Sequence, residues 1–235
     1  MIERKTIGGQ VFDYLLEQIS SGALKPGERL KDERSLASDL GVSRVPLREA
    51  ISSLCQIGIL SSRQGEGTFV STDYTVILKK ALGIYVQLED QMVSEVIELR
   101  KIMEVEAARL AAINATDEEI EKIKKISKKR HDLLDQNLEE EQLHILLDDY
   151  DKQFHQSIAK ATHNSVFLNF INTIRNSLSI HQKKASEAPG MMHIVYAQHK
   201  SICEALSLRD SEKAAQMMKE HLEAVEQVIN KDLSS

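Results

Sequence analysis

Aromatic residues make up only 4% of this 235-residue chain, and tryptophan is absent. That fits a helical protein whose cores are filled by Leu, Ile, Ala and Met. Proline occurs three times, and none lies between Pro46 and Pro189, so nothing of that kind interrupts helices there. The two cysteines, Cys55 and Cys203, lie far apart without ligand-type spacing, which favours a reducing compartment. No apolar run approaches the roughly 20 residues that span a bilayer. Met1 leads into charged residues and not into an apolar signal segment. A cytoplasmic chain with no membrane partner is expected. An excess of positive charge is also missing. The net charge of −6 argues against indiscriminate nucleic-acid binding. The first 72 residues carry nine basic and nine acidic side chains, so the acidity belongs to the remainder. Hydrophobic residues at 42% suffice for real cores, and the length suits one or two domains.

Residues 34–54 carry the clearest local signal. Leu36, Ala37 and Leu40 form an apolar stripe on a short helix, and Gly41-Val42 makes a turn. Ser43 is placed to cap a second helix through its hydroxyl. Pro46 falls in that helix's first turn, where no N–H is needed. Leu47, Ala50, Ile51 and Leu54 repeat at helical spacing and face inward. Arg44, Arg48 and Ser52 share the opposite face. Two arginines near the front of a short second helix suit the major groove, where arginine can bind guanine through two hydrogen bonds. A plain helical hairpin with a solvated basic face explains the stretch equally well.

The continuation separates the two. Residues 59–63, the turn Gln64-Gly65-Glu66-Gly67 and residues 68–70 read as strand, turn, strand, that is, a wing after the second helix. A helix over residues 7–20 precedes the motif. Residues 7–70 resemble the winged helix of the GntR family of bacterial transcription regulators. The matching pieces are residues 22–30, Glu33-Arg34, 40–44, 47–50, 58–60 and 64–70. Lys31-Asp32 departs from that family's usual Pro-Ser or Pro-Thr, but Asp32 can also cap a helix. The resemblance implies DNA contacts from Arg34, Ser43, Arg44, Val45, Arg48, Arg63, Gln64, Gly65 and Gly67. It also implies a homodimer on a palindromic operator in double-stranded DNA.

The fold class expected is mostly α: a winged helix-turn-helix domain over 1–72 and an all-α antiparallel bundle of six or seven helices over 73–235. The periodicity predicts helices near 76–87, 92–113, 116–136, 142–161, 164–185, 191–208 and 211–230. Thr116 and Glu119 form a capping box at the third of these. The lysine-rich run from Lys122 to Arg130 is interleaved with Ile123 and Ile126 and reads as a solvated face.

Eight histidines occur, and three have an unusual setting. Asp151 and His155 are one turn apart on a helix face that also carries Leu147, Phe154 and Ile158. His199 and His221 each sit on an apolar stripe. Polar side chains on inward faces need partners. Separate hydrogen bonds would satisfy them, and so would a shared divalent metal. His181 and Cys203 occupy comparable stripes, with Cys203 read as a small core residue. Spacing alone leaves both explanations open.

Residues 76–230 look like the FCD ligand-binding domain of the FadR subgroup of GntR regulators. The matched motifs are Glu98-Leu-Arg100, residues 104–112, residues 151–155, Asn164, residues 199–202, Asp210 and His221-Leu222. The resemblance implies that Asp151, His155, His199 and His221 hold a divalent metal, with zinc first and nickel, iron or manganese as alternatives. It also implies that Arg100 lies near a small organic acid effector. Arg100 could equally be bonded to Glu104 one turn on. The function expected is a metabolite-responsive transcription factor, a repressor. The rival readings are a metal sensor, a metal-dependent hydrolase and a regulator whose histidines are relics.

Overall fold

In the computed structural model, the residues described are 5–72, 75, 76, 78, 81–84 and 90–233. Of the expected helix over 76–87, residues 76, 78 and 81–84 are described and are helical, and the rest of that expectation lies outside the described residues. The chain divides into two compact units, Met1–Lys80 and Ala81–Ser235.

The first unit opens with α1 (Ile7–Ser20), whose first turn is capped by the Thr6 hydroxyl accepting from Gly9 N–H. The short helix α2 (Glu33–Asp39) starts at Asp32, whose carboxylate accepts from the Arg34 and Ser35 N–H groups. That cap replaces the serine or threonine of the common pattern. Helix α3 (Arg44–Gln56) follows the turn at Gly41, which adopts a positive φ of 65°. Ser43 stands at its N-cap in an extended conformation, but its hydroxyl makes no capping bond among the described residues. The expectation that this hydroxyl caps α3 is therefore corrected: the helix starts without it, leaving the group exposed. Strands β1 (Leu60–Arg63) and β2 (Gly67–Val70) pair antiparallel, Leu60 opposite Val70 and Arg63 opposite Gly67. Val11, Leu15, Leu30, Ala37, Leu47, Leu54 and Leu60 fill the core between the helices and the root of this hairpin. Each fully buried Leu there contributes roughly 1.5–3 kcal/mol of transfer free energy.

The second unit contains α4 (Asp90–Asn114), α5 (Asp117–Asp132), α6 (Glu140–Lys160), α7 (Ser165–Ser177), α8 (Ser179–Glu187), α9 (Met191–Ser207) and α10 (Ser211–Leu233). Helix α4 packs along α10, α9 along α10, and α5 along α6. Ala107, Ala108, Ala111 and Ala112 of α4 are fully buried, and such small side chains let neighbouring helices come close. The Thr116–Glu119 capping box opens α5 as expected. The continuous helix expected over 164–185 is broken. Leu178 leaves helical geometry, and the Gln182 amide donates to the freed carbonyl of Arg175 at 2.9 Å. Burial of Leu178 holds the break in place. Helix α5 stops at Asp132, short of the expected 136, where Leu133 turns into the core. Arg130 does not belong to the solvated face of α5: it is 2% exposed, while the lysines before it are exposed. It continues the inward stripe Ile120, Ile123, Ile126-Ser127.

Candidate functional site

In the first unit, α3 presents Arg44, Val45 and Arg48 to solvent, and Arg34 is exposed at the start of α2. Glu33 ties the arginines together. Arg48 Nε donates to both Glu33 carboxylate oxygens at 3.2 and 2.9 Å, and Arg44 Nη2 lies 3.6 Å from Oε2. At the hairpin tip, Arg63, Gln64 and Gly65 are exposed, and Gly65 adopts a positive φ with open space around its Cα. The Arg63 guanidinium stacks over Phe69 at 4.5 Å. At Gly67 a Cβ would meet the Arg29 guanidinium at 2.9 Å, so the glycine makes room for Arg29 against the hairpin. Glu33 and Arg29 were not singled out from sequence, and Glu33 has a visible signal there: an acid one turn ahead of Ala37 beside the basic face.

In the second unit, Asp151 and His155 project from α6, His199 from α9 and His221 from α10. One donor atom from each of the four lies within 4.8 Å of all the others. The three imidazoles are at most 1% exposed. His199 Nε2 is 3.5 Å from Asp151 Oδ1, and His155 Nε2 is 3.9 Å from Asp151 Oδ2. Phe154 stacks on His199 at 3.8 Å between ring centroids and fixes that ring. His181 and Cys203 are not among the four. Burial pushes the Cys203 thiol up to about 12, so it stays protonated and inert as a ligand.

A second layer of charge surrounds the four. Glu104 of α4 is 2% exposed and receives Arg100 Nε at 2.6 Å, Arg175 Nη1 at 3.2 Å and His155 Nδ1 in a close contact. Arg175 also donates from Nη2 to Asp151 Oδ2 at 2.8 Å. The Arg100–Glu104 bond is the alternative raised for Arg100 from sequence. Arg100 also lines a cavity of about 30 Å³ together with Arg130, Asp151 and His221. Burial opposes ionisation of Asp151, but His155 and Arg175 outweigh it and hold the carboxyl well below its usual range. Burial, reinforced by neighbouring imidazole charge, pushes His199 and His221 well below the ordinary histidine value. Burial, with Arg175, lowers His155 as well. Neutral imidazoles beside an ionised carboxylate are the protonation states that metal ligation requires.

The donor set fits a cation on a more specific ground. His155 Nδ1 faces the Glu104 carboxylate, so its proton sits there. His221 Nδ1 lies 3.0 Å from Gln198 Oε1, while the Gln198 amide nitrogen faces the Glu220 carbonyl, so His221 also carries its proton on Nδ1. Both Nε2 atoms are then bare lone pairs, and they face each other at 3.3 Å. Both nitrogens of His199 are buried without a hydrogen-bond partner among the described residues. Facing lone pairs repel and buried unpaired nitrogens are costly. A shared cation answers both.

From sequence Glu104 was raised only as a partner of Arg100, and the inward roles of Arg130 and Arg175 were missed. The signal for each was a charge on an inward stripe: Arg130 follows Ile123 and Ile126-Ser127, and Arg175 follows Ile171 by one turn.

A winged helix joined in one chain to a helical domain with a buried polar cluster is the layout of a two-domain transcription regulator. Residues 7–70 match the bacterial regulatory proteins of the gntR family, and residues 95–224 match the FCD domain. The chain is 30% identical over 233 residues to the "Uncharacterized HTH-type transcriptional regulator YcbG" of Bacillus subtilis, covering 99% of this chain and 94% of that one. It is 29% identical over 223 residues to the HTH-type transcriptional regulator LutR of the same organism, covering 90% and 96%. A solved structure of Streptococcus agalactiae GntR aligns with a TM-score of 0.72 at 26% identity, covering 94% of this chain and 99% of that one. The chain belongs to the GntR family of bacterial regulatory proteins, with an FCD domain as its second unit. It is a DNA-binding transcriptional regulator and not an enzyme. Among the described residues no helix is long and apolar enough to cross a membrane.

Proposed function

We propose that this regulator is a repressor that works as a homodimer on a palindromic operator, and that a small organic acid at a metal site in the FCD domain controls its DNA affinity. The observation that carries the reading is the pair of Nε2 lone pairs of His155 and His221, facing each other at 3.3 Å beside Asp151 and the unpartnered His199. Asp151, His155, His199 and His221 would hold the ion; zinc suits three imidazoles and a carboxylate, with nickel, iron and manganese as alternatives. When bound, a divalent ion supplies a Lewis-acidic seat for a carboxylate oxygen.

The chain's own residues do the rest. Glu104 and Gln198 fix the tautomers of His155 and His221, so their Nε2 atoms point inward as acceptors. Arg100 faces the cavity with its remaining donors and takes the acid's charge. The four donors come from three different helices, so occupancy of the site biases how α6, α9 and α10 pack. Residues 1–72 act as the DNA-binding domain, with Arg34, Arg44 and Arg48 at the groove and Ser43, Val45, Arg63, Gln64, Gly65 and Gly67 around them. Residues 73–235 carry dimerisation and effector binding. An effector that binds one arrangement of the bundle better than another shifts the population, and DNA affinity with it.

The test begins with elemental analysis of the purified protein, expected to give one divalent ion per chain. Chelation should lower the melting temperature, because a ligand held only by the folded state stabilises it by mass action. His199→Ala should lose metal and effector response together, whereas Arg100→Ala should lose the response alone. The mass in solution should be twice 26.5 kDa. A His199→Ala protein that keeps stoichiometric metal would sink the ligand assignment. DNA titration with metal alone separates an ion signal from an acid signal.

A further inference from the structure

Arg29 is an exposed cation that the function proposed above leaves unused. Its backbone adds a third strand to the wing. Leu30 N–H donates to the Thr68 carbonyl and Val70 N–H to the Glu28 carbonyl, each at 2.8 Å. Residues 28–30 thus run antiparallel along the second edge of β2, with Arg29 opposite Phe69. Residues directly opposite in a sheet share a face, as do residues two apart on one strand. Arg63 is opposite Gly67 in the hairpin. Arg29, Phe69, Gly67 and Arg63 therefore lie on one face of this small sheet. The other face carries Leu30, Leu60 and Val70 into the core.

The Arg29 guanidinium is held on that outer face by backbone and not by charge. A Cβ on Gly67 would sit 2.9 Å from Arg29 Nε and 3.2 Å from Nη2, so the guanidinium lies against the bare glycine. Any larger residue at 67 would displace it. Among the described residues no carboxylate pairs with Arg29. Its neighbours differ. Glu66 lies 3.6 Å from Arg63 Nη1, and Glu33 takes both Arg44 and Arg48. A cation already seated in one place loses little conformational freedom when an anion arrives. The fork of guanidinium donors matches phosphate oxygens.

We propose that Arg29 is a further DNA contact, a phosphate anchor on the outer face of the wing beside Arg63. It supplies affinity and not sequence preference, because phosphates carry no sequence information. The inference rests on the reading above that places the wing and α3 of residues 1–72 on the duplex.

Fluorescence anisotropy of the full-length protein over a range of salt concentrations tests it. One duplex is selected by the protein from a random pool, and the other has an unrelated sequence. Arg29→Gln should weaken binding about three- to tenfold at about 0.1 M salt, by the same factor on both duplexes. It should also lower the slope of log affinity against log salt by about 0.9 for each chain bound. Arg29→Lys keeps the charge and should keep the slope. Both variants should melt with the wild type, since the exposed side chain supplies no core. Unchanged affinity in Arg29→Gln would overturn the proposal. So would a loss without a change of slope, which would make Arg29 a brace for the wing, or a loss confined to the selected duplex, which would make it a reader of bases. Arg44→Ala is measured beside them. If it binds the selected duplex like the wild type while Arg29→Gln lowers the slope, the reading of α3 fails and the anchor stands.

Discussion

Glu104→Gln is the substitution for which the structure sets the size of the effect most directly. The glutamate is 2% exposed and faces Arg100 Nε at 2.6 Å, Arg175 Nη1 at 3.2 Å and the Nδ1 of His155. Glutamine keeps the volume, so no cavity opens and packing is preserved. The negative charge disappears: Arg100 is left against a neutral acceptor, and Arg175 keeps Asp151 as its only carboxylate partner among the described residues. Breaking a buried ion pair from one side costs about 3–5 kcal/mol. The amide oxygen still accepts one hydrogen bond, which returns about 1 kcal/mol. The net loss is about 2–4 kcal/mol. For a domain of this size 1 kcal/mol moves the midpoint by about 2–4 °C, so the expected fall is roughly 4–16 °C. Thermal unfolding followed by circular dichroism should be run on chelated protein, so that altered metal affinity does not enter. Glu121→Gln is the control: that carboxylate is 56% exposed and paired with Lys124 at 2.6 Å. Exposed pairs contribute about 0–1 kcal/mol, so the control should shift little. If the two variants melt together, Glu104 is not compensating the buried arginines, and the charge layer around the histidines is wrongly described.

Two further outcomes are expected. Arg44→Ala and Arg48→Ala should each weaken operator binding by roughly 5- to 150-fold if they read bases, with the melting curve of the protein unchanged. Fluorescence anisotropy on a DNA site selected by the protein itself would measure this, and unchanged affinity in both variants would remove α3 from the groove. Cys203, its thiol pushed up to about 12 by burial, should be alkylated by iodoacetamide at pH 8 only when the chain unfolds. Peptide mass spectrometry after native and denaturing labelling would show it, and rapid native labelling of Cys203 would contradict the burial.

The winged helix was legible in the sequence because its signals are local. Gly41 marks the α2–α3 turn through a positive φ, Asp32 caps its own helix, and Leu47, Ala50, Ile51 and Leu54 repeat at helical period. Each feature is decided within a few residues of itself. Ser43 shows the limit of such reasoning: the residue sits at the N-cap but its side chain does not cap. The break at Leu178 was illegible for a different reason. No Gly or Pro marks it, and what stabilises it is tertiary, the burial of Leu178 and the Gln182 bond to a freed carbonyl.

The four-residue cluster lies between these cases. Periodicity placed Asp151, His155, His199 and His221 on inward faces, but a helix face does not say which other faces it meets. Only the packing of α6, α9 and α10 around α4 brings the donor atoms within 4.8 Å. The charges around them were harder still, since a lone Arg on an apolar stripe can snorkel to solvent. Arg130, Arg175 and Arg100 do not: they are 2%, 5% and 4% exposed. Three such cations in one domain core require acceptors, and Glu104 and Asp151 supply fewer than the guanidiniums can use. Wherever inward histidines and inward arginines occur on the same set of helices, the imidazoles ask for a cation and the guanidiniums for an anion. Under the function proposed above, a metal would answer the imidazoles and an acid the guanidiniums.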